Sequence, residues 1–325
     1  MNPSLIPNPN PQPRPAIADP GRRPQLRLAR DHRVQVRGKF LYADGQKFDV
    51  KGVTYGPFRP DESGCEYRDL ATVDQDFGMM ARSGFNAVRT YTVPPRWLLD
   101  VAWEHGLRVM VGVPWEQHVA FLDTRRIRRR VVQTVREAVR SCAGHPGVLC
   151  FTIGNEIPAS IVRYHGPTTI ERFLKRLYKV AKAEDPQALV TYVNYPTTEY
   201  LDLSFLDLVG FNVYLEEQEK LAAYLARLQN LAGELPLMMA EVGLDSIRNG
   251  ETQQAESLTW QLRTSFQAGC AGAFVFAWTD EWHRGGYDIE DWAFGLTDRN
   301  RDRKPALAAV RDTLTTSPLL PEGAT

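Results

Sequence analysis

The stretch LCFTIGNEIP, Leu149 to Pro158, decides how the rest of the chain reads. An apolar run with the character of a buried strand closes at Gly154, and a polar, ionisable pair, Asn155 and Glu156, follows at once. Parallel barrels carry their reactive side chains at this place, the C-terminal end of a strand.

Working outward, Lys51–Tyr55, Phe85–Tyr91 and Leu107–Val113 read as strands upstream of Val148–Ile153. Downstream, Ala188–Val193, Leu206–Val213, Leu235–Ala240 and Ala271–Trp278 bring the number to eight. Helical periodicity falls between most of them. Val73–Ser83 stops at Gly84, Pro94 and Pro95 open a helix that runs to His105 before Gly106, and Arg125–Cys142, Thr168–Ala183 and Pro305–Thr313 follow. Strands separated by helices imply parallel pairing, and eight such units over about 270 residues match a (β/α)₈ barrel, an α/β fold of typically ~250. A doubly wound open sheet is the alternative, but the first strand is not followed by the GxGxxG of a dinucleotide crevice.

Val34–Gly56 (VQVRGKFLYADGQKFDVKGVTYG) predicts a short β-hairpin turning at Asp44-Gly45 and leading into the first strand. Residues 1–24 hold eight of the 22 prolines and few apolar groups, the composition of a disordered tail or linker. The expected organisation is a Pro-rich tail at 1–24, one barrel with its leading hairpin at 25–316, and a short tail at 317–325. No internal repeat stands out beyond the strand and helix alternation.

With 39 basic and 39 acidic residues, the charge points to neither nucleic acid nor an anionic membrane, and neutral ligands are favoured. The run RRIRRR, Arg125–Arg130, continues into helically spaced apolar residues and reads as a solvated helix face. Four cysteines, Cys65, Cys142, Cys150 and Cys270, lack CxxC spacing and read as free, mostly buried thiols. No basic segment followed by a long apolar one opens the sequence, and no run of about 18 apolar residues occurs. The expectation is a cytoplasmic protein, or a soluble domain of a larger one, without membrane insertion.

The strand ends supply Tyr55, Arg89 with Tyr91, Trp115 with Glu116, Asn155 with Glu156, Asn194 with Tyr195, Asn212 with Tyr214, Glu241, and Trp278 with Asp280. Carboxylates, amides and aromatics dominate. HExxH is absent and the six histidines are dispersed. Asp298, Asn300 and Asp302 resemble the start of a calcium loop, but Arg303 and Ala309 stand where glycine and glutamate belong. Neither a GxSxG elbow nor a phosphate-cradling GxxxxGK[ST] loop is present, and no metal or cofactor is implied. What survives is Glu156 and Glu241, each read as directly following an apolar strand. Two carboxylates facing across an aromatic cleft suit glycoside hydrolysis, in which one protonates the leaving oxygen and the other attacks the anomeric carbon or activates water.

These motifs resemble glycoside hydrolase clan A, and most closely the catalytic barrel of family 2, the β-galactosidase, β-glucuronidase and β-mannosidase group. HPGVLCFTIGNEIP (His145–Pro158) is similar to that group's acid/base strand, FNAVRTYTVPP (Phe85–Pro95) to its second strand and loop, and PLMMAEVG (Pro236–Gly243) to its nucleophile strand. GAFVFAWTDEW (Gly272–Trp282) and FGLTDRNRDRKPAL (Phe294–Leu307) resemble its last strand and closing helix. The likeness runs roughly from Val34 to Asp312. It implies a retaining mechanism with Glu156 as general acid/base and Glu241 as nucleophile. Asn155 would bond the sugar's 2-hydroxyl, Arg89 and Tyr214 would hold Glu241, and Trp278 would floor the subsite of the attacked sugar. A neighbouring guanidinium favours an ionised Glu241, while apolar walls and a second negative charge favour a protonated Glu156.

Family 2 enzymes carry β-sandwich domains ahead of the barrel, where this sequence has a Pro-rich stretch and a hairpin. The expectation is therefore a more open cleft, with endo-action on a β-glucan-like chain or transfer to another sugar. The long loop Thr279–Asp302 offers Trp282, His283, Tyr287 and Trp292 for stacking on sugars or as a lid. Trp115, Glu116, Phe58 and Tyr67 are weaker subsite candidates. The function that follows is a retaining β-glycoside hydrolase or transglycosylase acting on β-linked oligo- or polysaccharide. The alternative is a catalytically silent carbohydrate-binding barrel associated with polysaccharide synthesis, and a metal-dependent barrel hydrolase is a distant third.

Overall fold

The computed structural model describes residues 32–316. The tails expected at 1–24 and 317–325 lie outside them.

The chain first makes a small antiparallel sheet of β1 (Gln35–Arg37), β2 (Phe40–Ala43) and β3 (Gln46–Lys47). The turn at Asp44-Gly45 has positive φ at both residues, 51° and 83°, as a two-residue hairpin of the twisted type requires. A second turn at Gly38, φ 57°, makes the element a three-stranded meander, one strand more than the sequence predicts.

The next eight strands close into a parallel barrel: β4 (Val50–Thr54), β5 (Ala87–Arg89), β6 (Arg108–Gly112), β7 (Val148–Asn155), β8 (Val190–Asn194), β9 (Val209–Asn212), β10 (Leu237–Val242) and β11 (Gly272–Val275). They pair in sequence order, with β11 returning to β4. Around them run α1 (Leu70–Arg82), α2 (Arg96–Glu104), α3 (Arg125–Cys142), α4 (Ala159–His165), α5 (Pro167–Glu184), α6 (Gln218–Ala232), α7 (Ser246–Asn249), α8 (Glu251–Gln267) and α9 (Pro305–Thr315). A two-stranded hairpin, β12 (His283–Arg284) and β13 (Tyr287–Asp288), rises from the loop after β11. The expected (β/α)₈ architecture is present, except that β8 is followed only by a 3₁₀ turn at Pro196–Thr198.

Two apolar layers hold the barrel. Residues on alternate strand positions face outward and pack under the helices, as Phe151 and Ile153 of β7 and Met239 of β10 do. The intervening positions fill the interior, where Val50, Leu149, Met238 and Phe274 meet Leu41 of the small sheet and Val34 just ahead of it. The leading sheet thus plugs the end of the barrel where the strands begin. Burying one such aliphatic side chain contributes about 1.5–3 kcal/mol, so the plug stabilises the barrel. Space inside is tight: a Cβ on Gly52 of β4 would stand 2.1 Å from the Phe274 ring of neighbouring β11.

Element boundaries differ from expectation for local reasons. α1 begins three residues early because the Asp69 carboxylate caps Ala71 and Thr72 N–H. β7 does not close at Gly154 but continues through Asn155, with the bare Gly154 letting Trp115 and Tyr192 pack against the strand. The short helix α4 precedes the expected Thr168–Ala183 helix and has no counterpart in the sequence reading. Among the described residues all four cysteines are free, with Cys142, Cys150 and Cys270 buried. No described helix is long and apolar enough to cross a membrane.

Candidate active site

Two irregularities in strand register turn the carboxylates inward. On β10, Met239 pairs with Phe211 and Glu241 with Asn212, so Ala240 is an extra residue. Without that bulge Glu241 would share the outward phase of Met239; with it, the side chain faces the cleft. On β7 the register shifts between Thr152 and Asn155, which brings Thr152, Gly154, Asn155 and Glu156 all to the cleft wall. Glu156 sits in the left-handed region at φ 51°, its N–H bonded to Val193 O at 2.9 Å.

Arg89, at the end of β5 and 1% exposed, is the hub. Its Nη1 donates to Glu241 Oε1 (2.9 Å), Asn212 Oδ1 (3.1 Å) and Ala240 O (2.7 Å), and its Nη2 to Asn155 Oδ1 (2.7 Å). Two phenols complete the cradle of Glu241: Tyr91 donates to Oε1 at 2.7 Å and Tyr214 to Oε2 at 2.6 Å. Burial pushes the Tyr91 hydroxyl well above its usual range, so it stays a donor. Asn212 bridges the two carboxylates, because its Nδ2 donates to Glu156 Oε1 at 2.9 Å while its Oδ1 takes the Arg89 proton.

Glu156 has no cation bound to it among the described residues. Burial raises its pKa above the ordinary glutamate value and the charge of Glu241 adds to that, against the Asn212 hydrogen bond. Asn155 is held by several partners, among them Asn212 Nδ2, which donates to its Oδ1 at 3.3 Å. Arg89 occupies its Oδ1, Gln117 Oε1 accepts its N–H at 2.9 Å, and Gln117 Nε2 donates to its carbonyl. Its Nδ2 has no acceptor among the described residues, and the residue lines the cleft.

The cleft encloses about 640 Å³. Trp115, Phe276, Trp282, Trp292 and Phe294 wall it with rings. Trp115 is pinned through Nε1 to Ile153 O (2.9 Å), and the Trp282 ring packs edge-on against Tyr91 and Phe276, with centroids 5.0 Å apart in each pair. Among the described residues no group of three or more His, Cys, Asp or Glu is placed to hold a metal ion.

The model of the glycosyl hydrolases family 2 TIM barrel domain matches residues 34–294. The chain belongs to that family. No curated protein matches the sequence. Among solved structures, the family 2 β-galacturonidase from Eisenbergiella tayi bound to galacturonate superposes with a TM-score of 0.74 at 20% identity, covering 87% of this chain and 53% of that one. The Bifidobacterium dentium β-glucuronidase complexed with coumarin-3-O-glucuronide gives 0.75 at 19%, covering 88% and 49%. The Ruminococcus gnavus β-glucuronidase in complex with uronic deoxynojirimycin gives 0.74 at 17%, covering 86% and 52%. The likeness is one of fold, and the chain spans about half the length of these structures.

In this family 2 barrel, Glu156, Glu241, Arg89, Asn155, Asn212 and Tyr214 form one hydrogen-bonded cluster, and Trp115, Trp282 and Trp292 line the same cleft. Other candidates lie elsewhere. Trp278, expected as the floor, is fully buried and does not line the cleft; Phe276, two residues earlier, takes a wall position. Tyr55 is core, bonded to buried Asp76 at 2.8 Å and packed on Phe58, itself fully buried. Asp280 accepts from Lys304 Nζ and Gly295 N–H, so it ties the loop to α9. Glu116 pairs with Arg130, Tyr67 bonds Thr92 O, and Asn194 binds the 3₁₀ turn through Thr198. Tyr195 accepts from Ala159 N–H, His283 contacts Asp288, and Tyr287 points to solvent. Glu241 itself lies inside β10, not after it.

Sequence reasoning gives Tyr91 only as a strand-end residue and misses Gln117, His118, Phe276, Phe294 and Arg284 as cleft residues. Tyr91 stands two residues beyond Arg89, a spacing that would have found it. Arg284 sits on the short β12–β13 hairpin, and the others lie outside the regular elements, where no periodicity encodes the path of the chain.

Proposed function

We propose that this barrel is the catalytic unit of a retaining β-glycoside hydrolase or transglycosylase acting on β-linked oligo- or polysaccharide. The observation that carries the reading is the contrast between two carboxylates sharing one cleft. Glu241 accepts from a guanidinium and two phenols, whereas Glu156 accepts only from Asn212 and has its pKa raised by burial. Environments that separate two carboxyl groups in this way assign a base and an acid. Glu241 attacks the anomeric carbon while Glu156 gives its proton to the leaving oxygen; Glu156 then takes a proton from the water or sugar hydroxyl that displaces Glu241. Asn155 Nδ2 is the free donor for the 2-hydroxyl. The ring-walled cleft supports a carbohydrate ligand, since aromatic faces stack on the apolar faces of sugars. The solved relatives named above act on galacturonides and glucuronides, so uronides join glucosides, galactosides and mannosides among the substrates to try.

The test is a panel of 4-nitrophenyl β-glycosides of those sugars. Glu241→Gly is expected to abolish turnover, with azide restoring release of nitrophenol and giving the glycosyl azide of opposite anomeric configuration. Glu156→Gly with azide gives the substrate's own configuration. Full activity of Glu241→Gly, or the reverse pairing of anomers, overturns the assignment.

A further inference from the structure

Three arginines and one histidine line the cleft among the described residues: Arg89, Arg248, Arg284 and His118. Arg89 is committed to Glu241, and Arg248 stands 3.4 Å from Asp245. Arg284 has no carboxylate partner among the described residues, only Nε2 of His118 at 3.4 Å. The hairpin that carries it is nonetheless anchored. Gly285 and Gly286 turn it at φ 62° and 88°, Asp288 on β13 ties to Arg59 and to His283, and His283 N–H bonds Pro57 O at 3.0 Å. A fixed backbone thus presents a guanidinium that no carboxylate of the described residues neutralises.

The position of the pair relative to the carboxylates follows from strand order. His118 belongs to the loop after β6, and β6 pairs with β7, the strand that leads into Glu156. Glu241 lies on β10, three strands further round. The pair therefore flanks Glu156, and Arg284 is among the charges acting on that carboxyl. Burial, and then Arg284, lower the pKa of His118, so its imidazole is neutral near pH 7 and can accept an Arg284 N–H at Nε2 while Nδ1–H remains a donor. The same β6–α3 connection runs on into Arg125, Arg126, Arg128 and Arg129, which have no acidic partner among the described residues.

We propose that Arg284 and His118 form a carboxylate-binding subsite on the leaving-group side of the cleft, so that the natural substrate is an acidic glycan whose negative charge sits on the residue leaving from Glu156. A planar guanidinium fork matches a planar carboxylate, and His118, in contact with Arg284 Nη2 through Nε2, helps to hold that fork in place. This rests on the proposed function, since it takes Glu156 as the group facing the leaving oxygen.

The experiment measures binding, so it stands apart from turnover. Glu241→Gln protein, with and without Arg284→Ala, is titrated by tryptophan fluorescence with three β-glycosides. These are the 4-methylumbelliferyl glucoside (neutral), the 3-carboxyumbelliferyl glucoside (anionic leaving group) and the 4-methylumbelliferyl glucuronide (anionic sugar). Arg284→Ala is expected to weaken the carboxyumbelliferyl ligand about fivefold relative to the neutral one, as for a partly exposed charge pair, and 0.5 M NaCl to erase most of the difference. Arg284→Lys should retain part of the preference, and His118→Ala should lose part. Equal losses for all ligands, a selective loss for the glucuronide, or no binding of the carboxylated glucoside overturns the proposal. Absence of turnover on the aryl glycoside panel with this selectivity intact overturns the glycosidase reading instead.

Discussion

Replacing Arg89 by methionine tests the hub on which the site is built. The guanidinium is 1% exposed and makes four hydrogen bonds, to Asn212, Ala240, Glu241 and Asn155. Methionine keeps most of the volume, so the cost arises mainly from Glu241, whose side chain is 8% exposed and loses its paired cation. Breaking a buried ion pair from one side costs about 3–5 kcal/mol. With an unfolding entropy near 2.1 cal/mol/K per residue, the ~285 described residues give about 0.6 kcal/mol/K, so Tm falls by about 5–8 °C. Adding Glu241→Gln removes the orphaned charge and keeps an amide oxygen to accept from one of the two phenols, Tyr91 or Tyr214, while its NH2 can donate to the oxygen of the other. The double variant should recover about 1–2 kcal/mol over Arg89→Met alone. Calorimetry and urea unfolding of the wild type, both single variants and the double variant close the cycle. An Arg89→Met protein within about 1 kcal/mol of wild type, or a double variant less stable than the single, would refute the electrostatic account.

Three other outcomes follow from the same geometry. Burial and the charge of Glu241 hold the Glu156 proton above the ordinary glutamate range, so the alkaline limb of kcat/KM should lie above that range, and Glu156→Gln should remove the limb and cut turnover of poor leaving groups by about 10²–10⁴. Since the folded carboxyl binds its proton more tightly than the unfolded one, the wild type should also lose stability relative to Glu156→Gln as pH rises from the ordinary glutamate pKa through the raised one; Tm against pH checks the sign. Tyr214→Phe deletes a 2.6 Å bond to Glu241 and should lower kcat about tenfold or more with little change in Tm, so an unchanged kcat would show that this phenol is idle. Trp278→Ala should cost about 3–5 kcal/mol as a core truncation and leave KM of the folded fraction unchanged, whereas Phe276→Ala should raise KM; the opposite pattern would return Trp278 to the cleft.

The barrel was legible in the sequence because eight apolar runs spaced by helical periodicity admit few other folds. The carboxylate pair was legible because both residues adjoin such runs. The bulges at Ala240 and between Thr152 and Asn155 were not, since a register shift depends on the partner strand, yet they aim Glu241 and Asn155 into the cleft. Trp278 was misplaced for the same kind of reason: β11 ends at Val275, and the chain beyond it follows neither period, so Phe276 and Trp278 cannot be sorted into wall and core by counting. No helix follows β8, only a 3₁₀ turn, because Pro196 to Leu203 carries no apolar stripe at helical spacing. Arg284 and His118 meet across 166 positions, a pairing that only the closed fold creates.

The left-handed backbone at Glu156 sets a trap for protein engineering. A residue with a β-carbon held at φ 51° costs on the order of 1–3 kcal/mol, and glycine adopts the same conformation without that penalty. Exchange to glycine also removes a half-buried acid with a raised pKa. A library sorted for heat resistance alone would therefore enrich glycine at position 156, delivering a hardier barrel that has lost the carboxyl proposed as its proton donor. At this position selection for endurance and selection for turnover pull in opposite directions, so the residue recovered after sorting reveals which of the two the screen applied.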